Sequence, residues 1–150
     1  MKIYPLKERK EYLHTAAKWL YEEFARPGES LAFFTALLGN DTDPKNLPII
    51  FIAEDDSKPV GTVALWRSDL LSRQDLTPWL ALLYVEPESR GRHIGAMLQK
   101  EVLRYAKTLG YPAVYLYTDL INYYEKTGWK RCGEGIECDG TLKRIFIHET

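Results

Sequence analysis

The sequence has 150 residues, with 20 Lys and Arg against 21 Asp and Glu, so the formal net charge is −1. A chain so close to neutrality has no overall positive field to hold nucleic acid or an anionic membrane, and any anion site must be local. The 45% hydrophobic and 27% charged fractions are typical of a folded globular protein and exclude a largely disordered chain.

The length and the even composition predict a single domain over residues 1–150, long enough to bury a core without a metal or a disulfide. No apolar run approaches the roughly 20 residues of a membrane helix, and the N-terminus lacks a secretory apolar core. We therefore expect a cytoplasmic protein with no nucleic-acid or membrane partner.

The two cysteines, Cys132 and Cys138, are accompanied by neither a second cysteine pair nor a histidine pair at zinc-site spacing. Reduced thiols are therefore favoured over a redox or metal role, and no metal is expected.

The first third of the chain predicts two helices. Apolar residues recur at helical spacing from Tyr12 to Phe24. A second helix is expected to begin after Ser30, whose hydroxyl can cap free amides, and to end at Gly39. Residues 41–48 then read as a polar loop.

Three strands follow. Strands are predicted over residues 49–53 and 60–66, joined by a hairpin turn at 54–59. After the polar segment 67–77, residues 79–85 form a continuous apolar run. A strand that is apolar throughout is expected to be central in its sheet and covered on both faces.

The next segment predicts a βαβ unit. Residues 95–109 carry apolar positions at helical spacing, and Gly110 stands where helices commonly end. A short apolar strand follows at residues 114–117. A strand, a helix and a strand at this spacing place the two strands parallel, with a right-handed crossover.

The last segment predicts a short helix over about residues 120–126 and a terminal pair of strands at 129–132 and 142–147. We find no internal repeat or break in composition. One mixed α/β domain is the fold that these elements predict.

The turn at residues 86–96 has the composition of an anion site. A helix that begins at the end of a central strand presents unpaired amides above the sheet. Arg90 and Arg92 add two guanidinium groups, and Gly91 and Gly95 let the backbone approach an anion. A loop with two solvated arginines is the alternative. The sequence lacks the residues of a Walker loop and of a dinucleotide fingerprint.

Residues 84–98, YVEPESRGRHIGAML, resemble the signature segment of the GNAT superfamily of N-acetyltransferases, whose loop reads Q/R-x-x-G-x-G/A. Arg90 takes the Q/R position, Gly95 takes the second glycine, and His93 stands where the first glycine is usual. A histidine is tolerable there if its backbone dihedrals are ordinary. The resemblance implies that acetyl-CoA is the co-substrate and that its pyrophosphate contacts Arg90, Gly91, Arg92, His93, Ile94, Gly95 and Ala96.

Residues 122–129, NYYEKTGW, resemble the later family segment N-x-(F/Y)-Y-E-K-x-G-(F/W). The resemblance implies that Tyr124 gives a proton to the departing thiolate of coenzyme A, with Asn122 beside the cofactor. The alternative is that Tyr123 and Tyr124 are both core or rim aromatics of an amphipathic helix.

The family also implies a fold and a third part of the site. Its sheet is mixed and mostly antiparallel, with one parallel βαβ pair and flanking helices. The central strand separates from its neighbour near a bulge, and its free backbone groups bind the pantetheine arm and the thioester oxygen. Leu83, Tyr84 and Val85 stand at the matching positions.

The acceptor end has no motif. The resemblance implies direct transfer of an acetyl group to a primary amine of a small molecule or peptide, with a homodimer as a common assembly. The alternative function is a non-catalytic acyl-CoA sensor. The acidic candidates for a base, each also explicable as a surface charge, are Glu22, Glu23, Glu54, Asp55 and Asp69. Aromatic residues that could line the acceptor site are Trp19, Phe24, Phe33, Phe34 and Trp66.

Overall fold

The computed structural model describes residues 1–40 and 45–150. Its helices are α1 (Leu13–Phe24), α2 (Leu31–Gly39) and α3 (Ile94–Thr108). Its strands are β1 (Lys2–Pro5), β2 (Ile49–Asp55), β3 (Lys58–Trp66), β4 (Trp79–Val85), β5 (Ala113–Thr118), β6 (Lys130–Ile136) and β7 (Leu142–Glu149). Short 3-10 turns span Leu6–Glu8, Lys10–Tyr12, Pro87–Ser89 and Tyr124–Thr127.

The strands form one seven-stranded sheet in the order β1-β2-β3-β4-β5-β7-β6. Neighbouring strands are antiparallel except β4 and β5, which are parallel and are connected through α3. The predicted fold class, a mixed and mostly antiparallel sheet with one parallel βαβ pair and flanking helices, is confirmed.

The helices cover the two faces of this sheet. On one face α3 buries its apolar side, including Leu98 and Val102, against the sheet. On the other face α1 and α2 pack together over β2, β3 and β4. The predicted start of α2 is confirmed, because the Ser30 hydroxyl accepts a hydrogen bond from the Phe33 amide at 3.1 Å and so caps the helix.

The predicted helix over residues 120–126 is wrong. Only Tyr124–Thr127 is helical, as a single 3-10 turn, and the preceding residues are bends. Asn122 has φ 57°, a left-handed conformation that no α-helix can contain. Its amide donates to Glu125 Oε2 at 3.1 Å, so the side chain of Glu125 caps the turn in place of a longer helix.

Two further differences lie near the N-terminus. Strand β1 was not predicted, because its four residues are too few to show an alternating pattern, yet it pairs antiparallel with β2. The predicted polar loop 41–48 falls partly on residues 41–44, which lie outside the described residues. The hairpin after β2 is tighter than predicted, with both Asp56 and Ser57 at positive φ, as two-residue hairpin turns require.

Strand β4 contains a bulge that opens the sheet. Thr62 of β3 pairs with Tyr84, whereas Ala64 pairs with Ala81, so β4 holds one more residue than β3 over this stretch. Leu82 lies inside the bulge with φ 53°. In the described part of the chain, the register between β4 and β5 is a single pair near their starts, so the strands separate beyond it.

Gln99, a buried polar residue of α3, ties this helix to the turn that carries Tyr124. Its Oε1 accepts hydrogen bonds from Thr127 Oγ at 2.6 Å and from the Trp129 indole Nε1 at 2.9 Å. Trp129 is itself buried, so its N–H cannot turn to bulk water.

Replacing Gln99 by Met keeps most of the side-chain volume but removes this acceptor. We expect Gln99→Met to lower the free energy of unfolding by about 1–3 kcal/mol, because the Trp129 donor stays buried and unpaired. Urea unfolding measures the change. Thr127→Val is the matched control: it removes one donor while Trp129 stays paired, and should cost less. Equal stability of Gln99→Met and the parent would contradict the bridging role.

Among the described residues, no helix combines the length and the apolar character needed to cross a membrane.

Candidate functional site

A cavity of about 710 Å³ occupies the gap between the separated ends of β4 and β5. One side is formed by β4, with Leu82 and Leu83 of the bulge, and the other by the end of β5, with Tyr117. Tyr124 also lines it. The cavity therefore reaches a stretch of β4 whose backbone groups are no longer paired with β5.

Helix α3 begins shortly after the end of β4, one of the two strands that line this cavity. Strand β4 ends at Val85, the turn Pro87–Ser89 follows, and α3 begins at Ile94. None of the described side chains caps the helix at His93, and the first amides of a helix have no partner within it. A Cβ on Gly91 would meet nothing within 4 Å, so the loop is open at this residue. This arrangement fits a phosphate group.

His93 does not have the ordinary backbone dihedrals under which a histidine would be tolerable at this position. Its φ and ψ are 62° and 18°, in the left-handed region. This is the conformation that glycine adopts without steric cost, and it explains why glycine is usual at the position in the family that the loop resembles. The histidine side chain is exposed, and its backbone carries the strain.

The two arginines of the loop have different partners. Arg92 forms an ion pair with Asp55 at 2.6 Å, and the N-terminal amine lies 3.7 Å from the same carboxyl group. Arg92 is therefore the first cause of a lowered Asp55 pKa. The Arg90 Nε donates to the Val85 carbonyl at 2.9 Å, and its guanidinium carbon lies 5.7 Å from the centre of the Tyr84 ring, in a side chain that is exposed. Cofactor contacts by either arginine stay predictions.

The two resembling segments meet at Gly95. A Cβ added to Gly95 would lie 2.8 Å from the Tyr123 hydroxyl, so the absence of a side chain lets Tyr123 reach the start of α3. The rings of Tyr123 and Tyr124 are edge to face, with centroids 4.8 Å apart. Asn122 precedes them at an exposed bend. Residues near 95 and near 123 thus form one surface.

Tyr124 is 8% exposed, and the exposed part faces the cavity. Its ring also packs edge to face on Trp129 at 6.1 Å. Burial raises the pKa of the Tyr124 phenol above its ordinary value, and the nearby Tyr123 and Asp69 add to the effect. The hydroxyl is therefore protonated at neutral pH, in the form that can donate a proton.

Most of the predicted aromatic wall lies at the cavity. Phe33 and Phe34 of α2 line it, as do Phe24 and Trp66. Trp19 does not line it and packs instead against the Tyr84 ring at 5.5 Å.

The five acidic residues that are candidates for the base differ in whether they line the cavity. Glu54 accepts a hydrogen bond from Tyr12 at 2.6 Å, and Asp55 is paired with Arg92, both away from the cavity. Glu22 is exposed and 4.0 Å from Lys18. The two that line the cavity are Glu23 and Asp69.

A charged cluster that the sequence did not reveal surrounds Asp69. Arg26 donates to both carboxylate oxygens of Glu137, at 2.8 and 3.2 Å, and to the Tyr117 hydroxyl at 3.2 Å. These residues come from the loop after α1, from β5 and from the segment after β6, and no local motif connects them. A second cavity of about 400 Å³ adjoins the first, and Arg26 and Asp69 line both.

The environment of Asp69 shifts the pKa of its carboxyl into the neutral range. The Asp69 pKa is raised to about 7, chiefly because the protein encloses the carboxyl; the Glu137 charge contributes to the increase and Arg26 opposes it. Part of the residue's surface still faces the cavities, so the carboxyl is enclosed without being cut off from water.

The model of the Acetyltransferase (GNAT) family matches residues 13–129. An uncharacterised N-acetyltransferase of Methanocaldococcus jannaschii is 30% identical over 106 residues, which are 65% of this chain and 44% of that protein. One of Schizosaccharomyces pombe is 40% identical over 53 residues, which are 32% of each. The chain spans less than half the length of these curated relatives.

Solved structures share the fold across the whole chain. An aminoglycoside 6'-N-acetyltransferase complexed with coenzyme A superposes with a TM-score of 0.77 at 18% identity, covering 99% of this chain and 97% of that one. The NatC complex bound to Gag peptide and coenzyme A gives 0.71 at 18% identity, with 100% and 99% coverage. At these identities the likeness concerns the fold.

The strain at His93 leads to a test on the free protein. We expect His93→Gly to be more stable than His93→Ala by about 1 kcal/mol, because only glycine adopts the left-handed region without a Cβ contact. Urea unfolding compares the two variants. The same pair at Lys100, an exposed position within α3, is the control, and there alanine should be the more stable by about 1 kcal/mol. The same order at both positions would contradict the left-handed geometry of His93.

Proposed function

Because the chain belongs to the GNAT family of acetyltransferases, we propose that it transfers an acetyl group from acetyl-CoA directly to a primary amine of a small molecule or peptide. The observation that carries this proposal is the cavity between β4 and β5, which holds Tyr124 and unpaired β4 backbone. We further propose that residues 1–150 act as one domain, in the cytoplasm, and that a homodimer is their assembly.

The proposed cofactor site begins at the start of α3. The free amides there and the exposed Arg90 would hold the pyrophosphate. The open backbone at Gly91 lets an anion approach. When bound, acetyl-CoA supplies an activated acetyl group as a thioester.

The pantetheine arm would follow β4 from this loop toward the bulge. Tyr84 and Val85 lie between the loop and Leu83, which lines the cavity. Beyond the single register pair, β4 has no strand partner on the β5 side among the described residues. Its backbone groups on that side can therefore bind the arm and the thioester oxygen. Backbone donors fixed by a sheet need no reorganisation when charge develops on that oxygen.

Tyr124 is the proposed general acid. It lines the cavity at the end of β4, and its raised pKa keeps the phenol protonated throughout the neutral range. Expulsion of a thiolate is easier when a proton donor is already positioned. The edge-to-face contacts with Tyr123 and Trp129 fix the ring, so the hydroxyl does not have to be ordered during the reaction.

The rest of the cavity suits an amine. Its charged lining consists of the carboxylates of Glu23, Glu29, Asp69 and Asp119 and the guanidinium of Arg26. The aromatic rings of α2 and Trp66 supply apolar surface and faces that attract cations. An ammonium group is therefore favoured over a carboxylate or phosphate in this space.

Thiol release tests the proposal. The protein is incubated with acetyl-CoA and a panel of amines that includes polyamines, aminoglycosides, amino acids and peptide N-termini, and free thiol is measured. We expect release that depends on at least one amine. A protein that binds coenzyme A but releases no thiol with any amine would contradict the enzyme and favour the alternative, an acyl-CoA sensor.

The role of Tyr124 has its own prediction. We expect Tyr124→Phe to lower kcat by about 100-fold or more, because the leaving thiolate loses its proton donor, with coenzyme A affinity unchanged. Steady-state kinetics over a full pH range and calorimetry measure the two quantities. The matched control is Tyr111→Phe, because Tyr111 lies just before the opposite end of β5. Unchanged turnover of Tyr124→Phe at every pH would contradict the acid role.

Arg90→Ala should show the reverse pattern, with weaker coenzyme A binding and unchanged kcat.

A further inference from the structure

Asp69 lies where the two cavities meet. It lines the first cavity together with Leu83 and Tyr124, and the second cavity together with Glu137. In the chain as described, its carboxylate has no hydrogen bond or ion pair, and only the charges of Glu137 and Arg26 act on it. The group therefore contacts the space for the acceptor on one side and a second, open cavity on the other.

On the basis of the proposed function, we propose that Asp69 is the general base of the reaction. Its carboxylate takes a proton from the ammonium group of the acceptor in the first cavity and releases it to solvent through the second.

The charges around Asp69 suit this role. Glu137 and Arg26 face it from the segments after β6 and α1, while Tyr117 of β5 and Tyr124 are close enough for its charge to raise their pKa values. Burial raises the Asp69 pKa to about 7, and a general base is most effective when its pKa lies near the working pH. An enclosed carboxylate and a protonated phenol beside one cavity are a matched base and acid.

The other carboxylates of the first cavity are less suited. Glu23 is exposed. Glu29 accepts a hydrogen bond from the Arg26 amide at 2.8 Å, and Asp119 is paired with Lys143 at 2.7 Å. Asp69 is enclosed and has no hydrogen-bond or ion-pair partner among the described residues, which leaves its lone pairs available to an incoming ammonium group.

The proton balance follows from these positions. Asp69 accepts one proton from the ammonium group, and the freed nitrogen lone pair forms a C–N bond to the acetyl carbon. The C–S bond breaks, and the sulfur takes the proton of Tyr124. The nitrogen, now bonded to the acetyl carbon, gives a second proton to the Tyr124 phenolate, which restores the phenol. Asp69 then releases its proton to water, so one proton leaves for each acetyl group transferred.

Asp69→Asn, with the thiol-release assay, is the test. For the parent protein we expect kcat/KM to rise tenfold per pH unit below about pH 7 and then to level off, because the ionised carboxylate is required. Asp69→Asn should lose about 100-fold or more at the plateau and lose this inflection. Asp75→Asn, in the same β3–β4 connection but outside both cavities, should keep the parent profile. A parent-like profile for Asp69→Asn would overturn the proposal.

The split between kcat and KM separates a base from an ammonium-binding group. With an alkylamine, loss of a base should appear mainly in kcat, whereas loss of an ammonium-binding carboxylate should appear mainly in KM. An amine whose own pKa lies well below the assay pH is already neutral, so its acetylation should be much less sensitive to Asp69→Asn. A rise in KM for the alkylamine with kcat unchanged would overturn the base role and leave Asp69 as an ammonium-binding residue.

Thermal unfolding gives a readout that needs no turnover. The Asp69 pKa is 3.8 when exposed and about 7 in the fold, so its ionisation lowers stability as pH rises from 3.8 to 7. Asp69→Asn should gain in melting temperature relative to the parent between pH 4 and pH 8, which also shows that it folds. The absence of this pH-dependent gain would overturn the enclosed, unpaired state of Asp69.

If the parent releases no thiol with any amine, the proposed function fails and the base role fails with it. Parent activity with an unchanged Asp69→Asn variant overturns the base role alone.

Discussion

The site depends on one extra residue in β4. Two neighbouring parallel strands would normally pair along their length and leave no space between them. The bulge at Leu82 turns β4 away from β5 after a single register pair, and this separation both opens the cavity and leaves the β4 backbone unpaired. A leucine at φ 53° is strained by roughly 1–3 kcal/mol, and it persists because regular pairing with β3 on both sides of it, at Ala81 and Tyr84, fixes the chain.

Helix α3 then fixes the distance between the two ends of the site. Its first turn forms the anion-binding end, and Gln99, about one and a half turns later, holds the segment of Tyr124 through Thr127 and Trp129. Because both ends are attached to one rigid element, their spacing does not depend on the loops between them. The close approach of Tyr123 to Gly95 adds a direct contact between the same two segments.

The sequence predicted the parts of the fold that have local patterns. The apolar period of α3, the continuous apolar run of β4 and the cap at Ser30 each depend on neighbouring residues, and each was confirmed. The helix predicted at 120–126 failed because its pattern does not show that Asn122 adopts a left-handed conformation. The cluster of Arg26, Tyr117 and Glu137 could not be predicted, since its members are far apart in the chain and meet only through the sheet order.

The charge distribution shows why overall composition revealed so little about the acceptor. A net charge of −1 hides a cavity lined by four carboxylates and one guanidinium, because the balancing cations lie elsewhere on the surface. The ion pairs of Arg26 and Lys143 satisfy Glu137 of the second cavity and Asp119 of the first, whereas the fold opposes the ionisation of Asp69, which lines both. A group that costs stability between pH 3.8 and 7 is retained more readily if its raised pKa serves the chemistry. The stability cost and the proposed function of Asp69 therefore have the same physical origin, its enclosure beside Tyr124.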